Sequence, residues 1–330
     1  MISDALKQKI NDSYDVLKLA AKMSKLYYQK PLILTYSGGK DSDVMLQLAI
    51  ECLKPSDFEV MNSHTSVDAP ETVYYIREKF KELKEMGVKA TIRIPRYKDG
   101  THKTMWNLIP NKTMPPTRLM RYCCQELKEK VEPNRFVATG VRKAESIGRR
   151  GRESFGVRGR QKVDGKYYDI EHIREVFEAS ERERERVGGK PNDYDVYDCL
   201  FIENAKKNKD LICNPIYEWT DTEVWEFIHD RKLKYNPLYD QGNQRVGCIG
   251  CPLASTQVRD LEKNPKYKQN YIRAFQRMVD RRKEIGKHLD SKYSKMWKDG
   301  ESVYAWWVQD EQIPGQLEFD LDGNIKEHKA

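Results

Sequence analysis

The apolar run Pro31-Leu32-Ile33-Leu34-Thr35 leads into Tyr36-Ser37-Gly38-Gly39-Lys40-Asp41-Ser42 and then into Asp43-Val44-Met45-Leu46-Gln47-Leu48-Ala49-Ile50. A buried strand, a glycine turn and a helix are the expected outcome. No other feature constrains the fold as much, because this order leaves unpaired backbone N–H groups at a helix N-terminus, where an anion is stabilised. Gly38 and Gly39 let the backbone approach a phosphate closely. Lys40 adds a point charge, Ser37 and Ser42 add hydroxyl donors, and Asp41 is a carboxylate suited to Mg²⁺ beside that phosphate. The plain alternative is an ordinary strand–helix turn with a polar cap, which leaves the coincidence of these residue types unexplained. The longer glycine spacing of the Walker loop is absent.

The alternation continues along the chain. Residues 4–28 carry Leu6, Ile10, Tyr14, Leu17, Leu19 and Ala20 at helical spacing behind Ser3 or Asp4. The pattern then predicts strand 31–36, helix 42–53, strand 57–62, helix 70–86, strand 88–94, helix 119–130 and strand 135–140. Such alternation implies an α/β fold, a parallel sheet with helices on both faces. Ligands in such folds sit beyond the carboxyl ends of the strands. Ser37–Ser42, Asn62–Thr65 and Gly140–Arg142 all fall at such ends, so one crevice is expected to gather them, with His64 or Thr65 near a nucleoside. Residues 142–212 read as a charged, irregular insertion, in which Glu181–Arg186 alternates sign. Thr220 and Glu223 form a capping box for a helix to about His229. Residues 265–298 look helical, and a small hairpin is expected over Asp322-Gly323. A main domain over 1–260 and a helical C-terminal extension over 261–330 follow, and no internal repeat is present.

Charge decides the remaining class questions. Charged residues make up 33% of the chain, and no apolar stretch is long enough to span a bilayer. The first thirty residues are charged throughout and lack an apolar signal core, so a cytoplasmic location and no membrane partner are expected. The net charge of +8 is compatible with a nucleic-acid partner without requiring one. The basic run Arg149, Arg150, Arg152, Arg158, Arg160 and Lys162 points the same way, with Phe155 and Tyr167 available to stack on a base. A solvated loop explains that run equally well.

Seven cysteines without a secretion signal favour metal binding or catalysis over disulfides. Cys123 and Cys124 are adjacent, and Cys248-Ile249-Gly250-Cys251 is a CxxC turn. Four thiolates suit either Zn²⁺ or an iron–sulfur cluster. An adjacent pair plus one CxxC is a poor tetrahedral zinc design and suits a cubane better. The alternative leaves Cys123 and Cys124 as packing residues. Cys52, on the helix after the loop, reads as core.

Two resemblances follow from these motifs. Ser-Gly-Gly-Lys-Asp-Ser resembles the PP-loop of the ATP pyrophosphatases, which implies ATP cleavage between the α- and β-phosphates and an adenine nucleotide alpha-hydrolase-like fold. Cys213–Trp225, Tyr235–Asn243, Arg245–Pro252, Pro70-Glu71-Thr72 and Gly140-Val141-Arg142 together resemble the phosphoadenosine phosphosulfate (PAPS) reductase family over roughly residues 30–260. In cluster-bearing members a tandem Cys-Cys and a later CxxC hold one [4Fe–4S] cluster, which implies Cys123, Cys124, Cys248 and Cys251 here. A reductase also needs a nucleophilic thiol, carried near the C-terminus in the family, and no cysteine follows Cys251. The intact Lys40 and Asp41 likewise suit ATP and Mg²⁺ better than a nucleotide already lacking pyrophosphate. Gly140–Ser146, with Arg149 following, is closer to the sulfur-insertion branch, which includes the ATP pyrophosphatase of DNA phosphorothioation systems. That resemblance implies adenylation of a nucleic acid, DNA ahead of tRNA, with sulfur from a cysteine desulfurase. Lys40, Asp41 and Arg142 would be catalytic, and Ser37–Ser42, Thr65, Gly140 and Arg142 would bind the nucleotide. A homo-oligomer is compatible with the sequence. A PAPS or adenylylsulfate reductase is the runner-up.

Overall fold

The computed structural model describes residues 2–129, 133–146, 149–157, 167–187, 210–287, 295–308, 318–319 and 325–326. The chain divides into two compact units, Met1–Lys103 with Cys124–Cys248 and Thr104–Cys123 with Ile249–Ala330.

The first unit is built on β1 (Leu32–Thr35), β2 (Phe58–Ser63), β3 (Lys89–Arg93), β4 (Phe136–Ala138), β5 (Phe155–Val157), β6 (Tyr167–Tyr168) and β7 (Leu211–Cys213). They form one sheet in the order β3-β2-β1-β4-β7-β5-β6. Leu32, Ile33 and Leu34 are each at most 1% exposed. Burial on both faces is why β1 reads as an unbroken apolar run instead of an alternating one. β3, β2, β1, β4 and β7 pair in parallel. β5 pairs antiparallel with β7, and β6 with β5. The sheet is therefore mixed, not wholly parallel. The difference comes from the insertion, which contributes two very short antiparallel strands, β6 at the sheet edge and β5 inside it, and the helix Ile170–Val187. Strands of two or three residues are too short to show a period.

Helices α1 (Asp4–Met23), α2 (Lys40–Cys52) and α3 (Pro70–Glu85) flank this sheet. α1 buries Leu6, Ile10, Ser13, Leu17 and Ala20, one helical stripe. The Ser3 hydroxyl caps it, accepting from the Leu6 N–H at 3.2 Å. β1 and β4 are parallel neighbours. The chain leaves β1 towards β2 on one side, while β4 has β7 on its other side. Their carboxyl ends thus mark a topological switch point, where a crevice opens.

The second unit contains α4 (Met105–Lys112) and the helices Gln257–Lys263, Pro265–Glu284 and Gly300–Val308. Tyr271, Phe275 and Trp307 pack its core, with the Tyr271 and Trp307 ring centroids 4.6 Å apart. Arg277 Nη2 donates to Trp106 O at 2.7 Å, Arg282 Nη1 to Thr113 O at 2.8 Å and Trp307 Nε1 to Pro116 O at 2.6 Å. These bonds explain why residues 104–123 belong here, although a boundary at 260 had placed them in the first domain. The helix expected over 119–130 reduces to a short turn ending in the π-helical Cys124–Lys128, closed by Glu129 N–H to Cys124 O at 2.8 Å. The helix expected over 265–298 ends at Glu284, with Gly286 at φ 70°. Glu318–Phe319 pairs with Ile325–Lys326 as expected of the hairpin, whose turn lies outside the described residues.

Candidate functional site

The loop after β1 holds its shape through its own polar groups. Gly38 has φ 73°, and a Cβ there would come within 2.9 Å of Ile76 Cγ1, so both backbone and space demand glycine. Gly39 precedes α2, and its carbonyl accepts from Ser42 N–H at 2.9 Å and Ser42 Oγ at 2.7 Å. Ser37 Oγ lies 3.3 Å from Ser42 Oγ. Both serine hydroxyls therefore brace the loop from within. Gly140, at the end of β4, faces the start of α2: a Cβ there would sit 3.2 Å from the Asp41 carbonyl carbon. The crevice expected at the switch point is real, and it brings Ser37–Ser42 beside Gly140 and Arg142.

An ion network closes over this loop. Lys40 is 6% exposed and Arg142 3%. Lys40 Nζ pairs with Asp221 Oδ1 at 2.8 Å and lies 5.5 Å from the Trp225 ring centroid and 5.6 Å from that of Tyr239. The Lys40 backbone N–H donates to the Tyr239 hydroxyl at 3.0 Å. Arg142 Nε donates to Asp41 Oδ1 at 2.6 Å, and its Nη2 to Asp221 Oδ1 at 2.9 Å. Burial opposes the Asp221 charge, but the Lys40 and Arg142 cations outweigh it and hold this carboxyl below its ordinary pKa. These groups line a cleft of about 740 Å³ that also takes in Tyr235, Asp240 and Arg245. Small-molecule pockets commonly have this size. Another pocket, of about 560 Å³ and lined by Lys18, Lys22, Lys25 and Cys52, contains none of the expected site residues.

Beneath the loop lies a buried acid. Asp43 Oδ1 accepts from Tyr36 Oη at 2.5 Å and lies 3.0 Å from Tyr75 Oη, while Oδ2 has no partner. Tyr75 Oη also lies 2.8 Å from Lys234 O. Burial pushes the Asp43 carboxyl up to about 7, although both tyrosines pull the other way.

Thr65 stands elsewhere. It is buried, its N–H donates to Asp68 Oδ2 at 2.9 Å, and Cys248 Sγ lies 3.5 Å from its Oγ1. His64 Nδ1 lies 3.5 Å from the same Asp68 oxygen. Neither lines the cleft at Lys40. The Lys128 ammonium is held above its ordinary pKa first by Cys248, against desolvation, then by Asp68 and Cys124. A cation thus faces two of the four expected metal-binding thiols in the first unit. Cys123 and Cys251 belong to the second unit. There Gly250, at φ 70°, gives the CxxC turn its path, and Tyr271 Oη donates to Ile249 O at 3.0 Å. All four thiols are partly exposed, and none is in a disulfide. Their donor chemistry fits a soft metal, yet no three His, Cys, Asp or Glu side chains are gathered as a metal site among the described residues. Burial pushes the Cys52 thiol up to about 12, as suits an inert residue.

The base-stacking expectation fails at Phe155, which is fully buried in the core as part of β5. Tyr167 lies under Arg152, 6.0 Å from its guanidinium carbon, and Arg149 pairs with Glu145. Arg158, Arg160, Lys162 and Cys199 lie outside the described residues. Reading the sequence missed Asp221, Tyr239 and Asp43. The first two sit inside the motifs 213–225 and 235–243, which had served as marks of family likeness and not as site residues.

A family model described as the phosphoadenosine phosphosulfate reductase domain matches residues 31–254. An uncharacterized Methanocaldococcus jannaschii protein is 25% identical over 308 residues, 90% of this chain and 60% of its own length. The chain thus spans about 60% of the length of that relative. Adenosine 5'-phosphosulfate reductase of Staphylococcus epidermidis is 22% identical over 290 residues, 86% of this chain and 91% of its own. Among solved structures, a PAPS reductase from Candida auris aligns with a TM-score of 0.41 at 15% identity, covering 75% of this chain and 96% of that one.

Proposed function

Because the chain belongs to the phosphoadenosine phosphosulfate reductase domain family, we propose that it is a PP-loop ATP pyrophosphatase that adenylates a nucleic-acid target for sulfur insertion. DNA is favoured over tRNA as acceptor, and a cysteine desulfurase as sulfur donor. The observation that carries this reading is the intact Lys40–Asp41 pair, with Arg142, in one cleft large enough for a nucleoside triphosphate.

The α-phosphate of ATP resists attack because negative charge surrounds it. Lys40, Arg142 and the N–H groups at the start of α2 would neutralise the pyrophosphate as it leaves. Arg142 Nε donates to Asp41 Oδ1, and the Asp41 carboxylate would hold Mg²⁺, which would supply further charge neutralisation for the leaving pyrophosphate. Cys123, Cys124, Cys248 and Cys251 would hold a [4Fe–4S] cluster, which supplies a soft, sulfur-handling centre when bound. Lys128 would then place its positive charge beside Cys248 and Cys124.

A second reading, adenylylsulfate or PAPS reduction, has the Staphylococcus epidermidis reductase in its favour, since the match covers 91% of that enzyme. One experiment separates the two. Protein prepared without oxygen is incubated with ATP and Mg²⁺ plus DNA or tRNA, and separately with adenylylsulfate or PAPS plus a thiol. Pyrophosphate release in the first arm supports the pyrophosphatase, and sulfite release in the second replaces it with the reductase.

A further inference from the structure

We infer that the Asp221 carboxylate is an internal stand-in for a phosphate, filling the anion seat of the loop until a polyphosphate displaces it. The inference rests on the reading of Ser37–Ser42 as a phosphate seat. One oxygen, Asp221 Oδ1, lies 2.8 Å from Lys40 Nζ and 2.9 Å from Arg142 Nη2, bridging two cations as a phosphate oxygen would. Both cations are nearly fully buried. A buried cation stripped of its counter-charge is strongly destabilised. Among the described residues Asp221 is the only carboxylate paired with the Lys40 ammonium, because Asp41 pairs with Arg142. The protein therefore needs an anion at this point at all times, and without a ligand it supplies its own.

Asp221 is well placed to leave. Its side chain is 59% exposed, whereas those of Lys40 and Arg142 are 8% and 4% exposed. It is the first residue of the helix Asp221–Asp230, behind the Thr220 cap. A rotation about its own side-chain bonds carries the charge into water without disturbing any packed group, and the helix N-terminus still favours it there. The two cations stay behind, already aimed at one point. Each phosphate ligand must therefore compete with a resident carboxylate, and the seat admits ligands that bring more negative charge than Asp221 removes. That selects a pyrophosphate moiety over a neutral nucleoside or a weak monoanion.

The test uses the full chain and two probes, inorganic pyrophosphate and adenosine, titrated without Mg²⁺ into wild type, Asp221→Asn and Asp221→Ala. Removing one charge at hydrogen-bond distance from two cations is expected to tighten pyrophosphate about tenfold. Adenosine, which carries no phosphate, should bind all three proteins alike. Both variants should also melt earlier than wild type without ligand and regain more on adding pyrophosphate. Unchanged or weaker pyrophosphate binding in both variants, with normal binding by wild type, overturns this inference and leaves the phosphate seat standing. Pyrophosphate binding by none of the three overturns both.

Discussion

Single atoms decide how the cleft behaves. Lys40 and Arg142 are buried cations that line the cleft, and removing a catalytic donor typically costs roughly 100- to 1000-fold in turnover. Lys40→Ala is expected to lower pyrophosphate release by at least that factor while the far-ultraviolet circular dichroism stays that of wild type. Release near the wild-type rate would exclude Lys40 from the chemistry. Asp43 makes a pH prediction. Burial raises its folded pKa to about 7 from an ordinary 3.8. Between those two values the folded chain binds more protons than the unfolded chain, so this group's stabilising effect is complete below pH ~4 and is lost as pH rises towards 7. The loss is on the order of a few kcal/mol. Urea titrations of Asp43→Asn across this window should show a flatter pH profile than wild type, and parallel profiles would disprove the shift.

Among the elements, the helix Asp221–Asp230 matters most, because its first residue enters the cleft. Its capping box is formed, with Thr220 Oγ1 accepting from Glu223 N–H at 3.3 Å and Glu223 Oε2 accepting from Thr220 N–H at 2.7 Å. Thr220→Ala should cost about 1 kcal/mol of stability, read as a lower denaturation midpoint at unchanged slope. This cap was legible in the sequence, as were β1, β2, β3 and the helices α1, α2 and α3, because each repeats a local period over enough residues to be seen. β5 and β6 were not, since the pairing of β5 with β7 and of β6 with β5 defines them. α4 was also missed: Pro110 breaks its pattern, and its place is set by Arg277 and Arg282, far along the chain. The site divided in the same way. Lys40, Asp41 and Gly140 follow from the strand–turn–helix order. Asp221 and Tyr239 lie about two hundred residues from the loop in sequence, and no spacing rule joins them to it.

At the scale of the whole molecule, the four thiols are expected to act as one group. Protein prepared without oxygen should carry iron and be brown, and Cys248→Ser should lose that iron while keeping pyrophosphate binding. Stoichiometric zinc without iron would end the cluster assignment. No described helix is long and apolar enough to cross a membrane. The first unit is joined beneath its cleft by contacts among Tyr36 after β1, Asp43 on α2, Tyr75 on α3 and Lys234 in the loop that leads to Tyr239. Those contacts are three oxygen pairs at 2.5, 3.0 and 2.8 Å. A phenol has one hydrogen, so the two tyrosines supply hydrogens for only two of the pairs. Tyr75 donates to the Asp43 carboxylate when the acid is charged, and when the acid keeps its own proton Tyr75 can accept it and donate to Lys234 O instead, which makes the third pair whole. One proton then belongs to the architecture as much as any side chain does: it completes a chain of donors across four separated stretches of sequence, and its departure leaves two oxygens facing each other with nothing between them.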